Sequence, residues 1–414
     1  MLCNKYLLFL LVFLCVAFTN AQSDVFSKVK PEMVGLSTDS LQKMNAHFHR
    51  LVDDGKLAGI QTAILRHGQL AQFDSYGYAN LAEATPLDEG SLFRIFSMTK
   101  PIVSVALMQL YEQGKFKLDD PLYKFIPEFQ EMKVFTEKGL VKAKNPIRII
   151  DLLRHSSGYT YGRSAFPEMD RMYREAHVHA STSNREFVLK LSRLPLYFEP
   201  GTDWRYGFST NICGYLIEVL SGKDLDRYLK EHILTPLNMH DTHFQVPRDK
   251  VDRFTVGYRW QEGSGLQQSE AQRNNRYTRK VTLFNGGGGM VSTTNDYLRF
   301  CQMLLNKGEG NGQRILKEAT VALMLQDQLQ EVRPYQERLR LPMGESGFGL
   351  GFAIRGSDAN HLERVYGWGG AVGTYFKIDL EHDMAYVMMI QLAPHRHLGL
   401  RQLIQDYIEA ALIP

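Results

Sequence analysis

Cysteine is scarce in this chain, with 4 in 414 residues, and Cys3 and Cys15 both fall in its first fifteen positions. The other two, Cys213 and Cys301, sit in apolar helix-like contexts (NICGYLIEVL and RFCQMLL). They read as buried thiols packing as small hydrophobes, which excludes a disulfide scaffold. Long apolar runs are missing too: the run Tyr6 to Phe18 spans 13 residues, short of the roughly 20 that cross a bilayer. Neither sign of charge dominates, since 48 Lys+Arg stand against 45 Asp+Glu for a net +3. That is too weak to imply nucleic acid or an anionic membrane as partner. The 34 Gly and 15 Pro form no run beyond four residues, which excludes collagen-like and low-complexity architectures. Three chemical signatures are absent as well. No HExxH accompanies the histidine pairs 47/49, 177/179, 240/243 and 395/397, no Gly-Lys-Ser/Thr follows Gly286–Gly289, and Gly-x-Ser-x-Gly does not occur. A catalytic metal, a phosphate-cradling loop and the α/β-hydrolase route to ester chemistry are therefore set aside, and no cofactor is implied.

What is present is the composition of a folded enzyme, 44% apolar and 22% charged. Lys5, the apolar run and Thr19-Asn20-Ala21 describe a cleavable signal peptide over residues 1–21, so the expected location is periplasmic or secreted. Ser37 precedes Leu41, Met44, Phe48 and Leu51 at helical spacing, and 58–67 with 70–78 reads as a hairpin turning at Gly68-Gln69. Residues 97–245 carry mostly helical signals, while 255–280 are polar and irregular. Thr293 with Asp296 opens a helix, strand-like pieces follow at 348–355, 362–368, 372–379 and 384–391, and a helix spans 398–412. The expected fold class is α+β: an antiparallel sheet flanked by helices and built from both termini, with an all-α insertion. The corresponding domains are 22–96 plus 285–414 for the sheet and 97–284 for the helical part.

A serine three residues ahead of a lysine is a candidate acyl-transfer site, because i and i+3 share one helix face and the amine can take the hydroxyl proton. The spacing occurs three times, at Ser27…Lys30, Ser40…Lys43 and Ser97…Lys100. The first lies in a loose terminal segment, and in the second Lys43 points away from the apolar stripe of its helix, so both amines stay hydrated and charged. Ser97-Met98-Thr99-Lys100 opens the segment IVSVALMQLY, apolar almost all round and therefore buried. There Ser97 gains unsatisfied backbone N–H groups and a favourable helix dipole, and Lys100 is desolvated and can act as a base. The segment alone equally admits Ser97 as a plain N-cap and Lys100 as a surface residue.

Two further segments bear on the choice. Tyr206, in WRYGF before a helix, can shuttle a proton if Lys100 lowers its pKa, or can be structural. Tyr366-Gly367-Trp368-Gly369-Gly370-Ala371 links two strands. Its glycines either let a substrate approach or serve close packing, and the amide of Ala371 can pair with that of Ser97 as an oxyanion hole. Together Ser97-Met98-Thr99-Lys100, Tyr206 and Trp368-Gly369-Gly370 resemble, in order, the motifs of the serine β-lactamase and penicillin-binding superfamily. The flanking Phe93–Phe96, Leu152–Gly158 and Gly286–Thr293 extend the likeness over nearly the whole chain after residue 21. It is most similar to the class C-type branch and its lactamase-like (family VIII) carboxylesterases. The resemblance implies a site between a helical domain and a sheet, with Ser97 as nucleophile, Lys100 as its activator and Tyr206 as general base and acid. It also makes Trp368, Gly369 and Gly370 substrate-binding residues.

Two departures shape the expected substrate. Phe208 stands where class C lactamases usually carry asparagine two residues after the tyrosine, and Asn211 comes five after it. The third motif opens with Trp368 rather than a lysine or histidine, which removes an anion-binding element and favours an uncharged, apolar group. The expected function is an exported serine hydrolase on short-chain or apolar esters. A β-lactamase or D-Ala-D-Ala carboxypeptidase is the alternative, and a non-catalytic binding protein is a third. The expected partner is a small-molecule ester or β-lactam, with oligomeric state left open.

Overall fold

A computed structural model describes residues 26–332, 347–355 and 365–413 of the chain. The expected signal peptide lies outside the described residues, and among those described no helix is long and apolar enough to cross a membrane.

The central sheet has eight strands. From one edge they run Gly347–Phe348, Ala353–Ile354, Val365–Gly369, Tyr375–Asp379, Met384–Met389, Gly59–Arg66, Gln69–Asn80 and Thr85–Pro86. All neighbours pair antiparallel, and Met384–Met389 joins the C-terminal meander to the N-terminal hairpin through the register Gln61↔Met389 to Arg66↔Met384. The α+β sheet assembled from both ends of the chain is thus the observed fold. Because successive side chains in a strand point to opposite faces, a sheet covered on both sides buries alternate residues in two separate cores. Met384, Tyr386 and Met388 pack with Leu41, Met44, Phe48, Leu400 and Ile404 on one side. Ala385, Val387 and Met389 face the other, with Leu298, Cys301 and the helix Thr99–Glu112.

The helix Thr38–Asp53 begins where Ser37 accepts a hydrogen bond from Ser40 N, and Thr293 caps the helix Thr294–Leu305 by accepting from Asp296 N. Thr99–Glu112 is buried on all sides, from Thr99 through Met108, as its uniformly apolar sequence requires. Cys213 and Cys301 are buried free thiols.

Three expectations are corrected. The insertion is not all-α, because Lys133–Thr136 and Gly139–Lys142 pair within it as an antiparallel hairpin. The first hairpin turns at His67-Gly68, not Gly68-Gln69: both residues adopt positive φ, +52° and +71°, the turn geometry that matches strand twist. The stretch 255–280 is not irregular throughout, for Gly257–Gln261 and Gly265–Glu270 form a hairpin whose first strand pairs parallel with Leu392–Ala393. Its polar outer strand (GLQQSE) carries no apolar alternation. Part of its anchorage comes from elsewhere in the chain, where the buried Arg94 donates to Glu270 at 2.6 Å and lies 4.0 Å from the ring of Phe254.

Candidate active site

Of the three serine–lysine pairs, two are open to solvent. Ser27 and Lys30 are exposed. Lys43 is exposed and bound to Asp39 at 2.6 Å, a contact that raises the amine's pKa above its ordinary value and keeps it charged. The third pair is enclosed. Ser97 lies in a single 3₁₀ turn, Phe96–Met98, feeding directly into Thr99–Glu112, so Ser97 is not the helix's side-chain N-cap. Lys100, 2% exposed, puts its Nζ 3.3 Å from Ser97 Oγ and 2.5 Å from the carbonyl oxygen of Gly287.

Burial is the largest influence on this amine and lowers its pKa, with the phenol of Tyr206 opposing. Nζ donates to the carbonyl of Gly287 and to Ser97 Oγ. An amine that has lost its proton at this spot keeps the donation to Gly287 and has a lone pair free to accept from the serine hydroxyl.

The serine turn is held in a sparsely populated conformation. Phe96 has φ +42°, unusual for a residue with a side chain and a mark of strain that surrounding contacts must maintain. Those contacts come from both sides. Ile95 N donates to Met290 O at 3.1 Å, and Thr374 Oγ1 donates to Ile95 O at 3.3 Å. Gly288 lies against the Phe96 backbone, where a Cβ would sit 3.3 Å from the Phe96 carbonyl carbon.

Tyr206 reaches the pair from the turn before the helix Ser209–Ser221. Lys100 Nζ lies 4.6 Å from the centre of its ring, and its hydroxyl accepts from Trp368 Nε1 at 3.3 Å. Trp368 is buried on the strand Val365–Gly369, with its ring centre 5.0 Å from that of Tyr206 and 5.3 Å from that of Phe348. Gly369 and Gly370 answer the question left open by the sequence. A side chain at Gly369 would run into the Arg401 guanidinium, and one at Gly370 into Thr374 and, at 2.7 Å, the Ile95 carbonyl. The vacated space is filled by protein, which draws this strand end against the serine turn. Ala371 follows, exposed, one residue past that contact.

Four residues to which the sequence alone assigned no part in the site join it. Gly287 acts through its carbonyl, and a Cβ there would lie 2.8 Å from Asn211 Cγ. Asn211 donates to Asn285 Oδ1 at 2.7 Å, and the same oxygen accepts from Gly287 N at 2.9 Å, so the asparagine five after Tyr206 helps hold the loop that receives Lys100. Tyr161 has its ring 5.4 Å from that of Tyr206 and 5.8 Å from Lys100 Nζ. His155, buried at φ +60°, packs 4.9 Å from the Tyr206 ring, and its carbonyl accepts from Arg205 N at 2.9 Å. Burial first, then the Lys100 charge, pushes its pKa well below the usual histidine value, so it is a neutral wall. His155 and Gly287 lie in the flanking segments Leu152–Gly158 and Gly286–Thr293, and Asn211 is marked by its spacing from Tyr206, but neither segment nor spacing tells what these residues touch.

Gly287→Ala is expected to cost about 1–3 kcal/mol by overpacking and to lower ester turnover at least about tenfold by displacing the Lys100 acceptor. A thermal melt and an esterase assay on the same preparation check both effects.

Comparisons with known proteins identify the family and the fold. The beta-lactamase family model matches residues 44–408. Protein Rv1367c of Mycobacterium tuberculosis is 30% identical over 368 residues, covering 86% of this chain and 91% of its own. Esterase EstB of Burkholderia gladioli is 27% identical over 293 residues, 66% of this chain and 72% of its own. Among solved structures, EstCE1, described as a hydrolase with promiscuous acyltransferase activity, superposes with a TM-score of 0.74 at 26% identity. That match covers 89% of this chain and 98% of EstCE1.

Proposed function

Because the chain belongs to the beta-lactamase family, we propose that it is an exported serine hydrolase that cleaves carboxylic esters through an acyl-enzyme on Ser97. The carrying observation is the enclosed Ser97–Lys100 pair with the Tyr206 ring lying over the amine. In this reading the lone pair of Lys100 accepts the hydroxyl proton as Ser97 Oγ bonds to the ester carbonyl carbon. The amides of Ser97 and Ala371 donate to the oxygen that becomes negative. The tetrahedral centre collapses as the alcohol leaves, taking a proton delivered through Tyr206 from Lys100. Water then repeats the sequence: Tyr206 and Lys100 accept its proton, hydroxide adds to the acyl carbon, and Ser97 departs reprotonated.

Trp368 favours esters over β-lactams and D-Ala-D-Ala peptides. It presents a buried indole, where an anion-binding residue would suit the carboxylate of those substrates. The similarity to EstB and to EstCE1 supports an ester substrate as well. Purified protein assayed side by side on short-chain aryl esters and a chromogenic cephalosporin is expected to turn over the esters faster by at least about tenfold in kcat/KM, the scale of one lost charged contact. Faster cephalosporin turnover would assign the site to β-lactams. Turnover of neither, with no covalent labelling by a fluorophosphonate, would make the chain a binding protein.

A further inference from the structure

Beside the site, past Tyr161, opens a cleft of about 530 Å³. Its apolar and aromatic lining includes Tyr161, Tyr173 and Phe208, and its remaining walls carry Arg163, Arg174, His177 and His179. None of its lining residues is acidic. Phe208 occupies the position where asparagine was expected from the family pattern. Its ring packs 4.6 Å from that of Tyr161 and so joins the cleft to the chemistry at Tyr206.

The cations of this cleft are not neutralised by their surroundings. Glu168 and Glu175, on the adjoining helix Pro167–Glu175, are both taken by Arg171, at 2.5 and 3.0 Å. Asp170 accepts from the amide of Ser164 at 2.8 Å. Among the described residues no carboxylate lies within ion-pair distance of Arg163 or Arg174. Arg163 is fixed at its backbone, its carbonyl accepting from Arg205 at 2.6 Å, while its side chain stays exposed. The guanidinium of Arg276 stands 5.2 Å from the ring of Phe96, next to the nucleophile, but is paired with Glu270 at 3.8 Å, so the unpaired cations of the cleft are Arg163 and Arg174. An apolar floor ringed by unpaired guanidinium groups suits an amphipathic anion, whose body excludes water from the floor and whose charge meets the rim.

Resting on the ester-hydrolase reading, we propose that this cleft is a carboxylate subsite: the preferred esters carry a free carboxylate on an apolar body, several atoms from the scissile carbonyl. The recognition is displaced relative to the third motif. Trp368 withholds a cation at the third motif, and Arg163 with Arg174 supplies it in the cleft past Tyr161. Guanidinium groups spaced along a rim fit a planar carboxylate on a flexible tether.

The test uses the full chain and two matched substrate pairs. One places the acid on the acyl side, 4-nitrophenyl hydrogen adipate against its methyl ester. The other places it on the alcohol side, 4-acetoxyphenylacetate against its methyl ester. In at least one pair the free acid is expected to have the higher kcat/KM, by about tenfold at low salt, with the ratio falling as ionic strength rises. Arg163→Gln/Arg174→Gln is expected to bring that ratio close to one. Lys43→Gln/Arg227→Gln, which removes the same net charge at exposed positions outside the cleft, is expected to leave it. Ratios of one or below in both pairs, or a preference that survives in Arg163→Gln/Arg174→Gln, overturn the subsite. If the methyl esters are cleaved in a Ser97-dependent way in that event, the ester-hydrolase reading stands without it. If the methyl esters are cleaved equally by Ser97→Ala, the underlying reading fails instead.

Discussion

Ser97→Ala is expected to lower kcat/KM for a short-chain aryl ester by on the order of 10⁴-fold or more, the cost of removing a nucleophile that works as a unit with its base. Ser40→Ala, at the same spacing from a lysine, is expected to leave the rate within about twofold, as exposed substitutions away from a site usually do. The contrast is physical. Lys43 is exposed and its pKa is raised by Asp39, so at neutral pH it has no lone pair to offer, and Ser40 Oγ already donates to Ala410 O at 3.4 Å. Lys100 is buried, which lowers its pKa, and its Nζ lies 3.3 Å from Ser97 Oγ, so once deprotonated it can accept the serine's proton. A fluorophosphonate should label the wild-type chain and Ser40→Ala to one equivalent and Ser97→Ala not at all. Comparable hydrolysis by Ser97→Ala and the wild type would remove the nucleophile from the scheme.

Much of this was legible in the sequence where one segment carries its own explanation. The all-apolar run after Lys100 dictates a helix buried on every side, and burial is what lowers the amine's pKa. The strands at both ends of the chain showed as short apolar pieces bounded by turn residues, and their joining followed from needing a shared core. The rest was hidden because its cause lies far away in the chain. Gly287 matters through a carbonyl, which no side chain advertises, and its place depends on Asn211 and Asn285 meeting there. The hairpin 257–270 draws on Arg94, more than 160 residues earlier, so its own polar sequence looks like a loop. The glycines after Trp368 spoke only of close approach. That the approaching group is protein, Arg401 and Ile95, could be learned only from the packing.

The amine itself provides the sharper test, because its catalytic and structural consequences have opposite signs. Lys100→Met, close in volume and without charge, is expected to cut ester turnover by about 10³-fold or more, since no base remains within reach of Ser97. Stability should move the other way or stay level. The folded-state pKa of Lys100 lies below the ordinary lysine value, so between the folded and unfolded pKa values the unfolded chain binds more protons than the folded one. Stability then rises with pH through that window, and at neutral pH burying the lysine opposes folding. Methionine removes that cost, at the loss of the hydrogen bonds to Gly287 and Ser97, and the melting temperature should not fall. The wild-type pH–rate profile should climb through the lowered pKa as Lys100 deprotonates, and Lys100→Arg, which cannot lose its proton near neutrality, should be as inactive as Lys100→Met. A structural role for Lys100 predicts the reverse pattern: Lys100→Met melting several degrees lower, Lys100→Arg retaining most of the activity, and no ascending limb assignable to this amine. Melting curves and pH–rate profiles on these variants therefore separate a base from a buried prop.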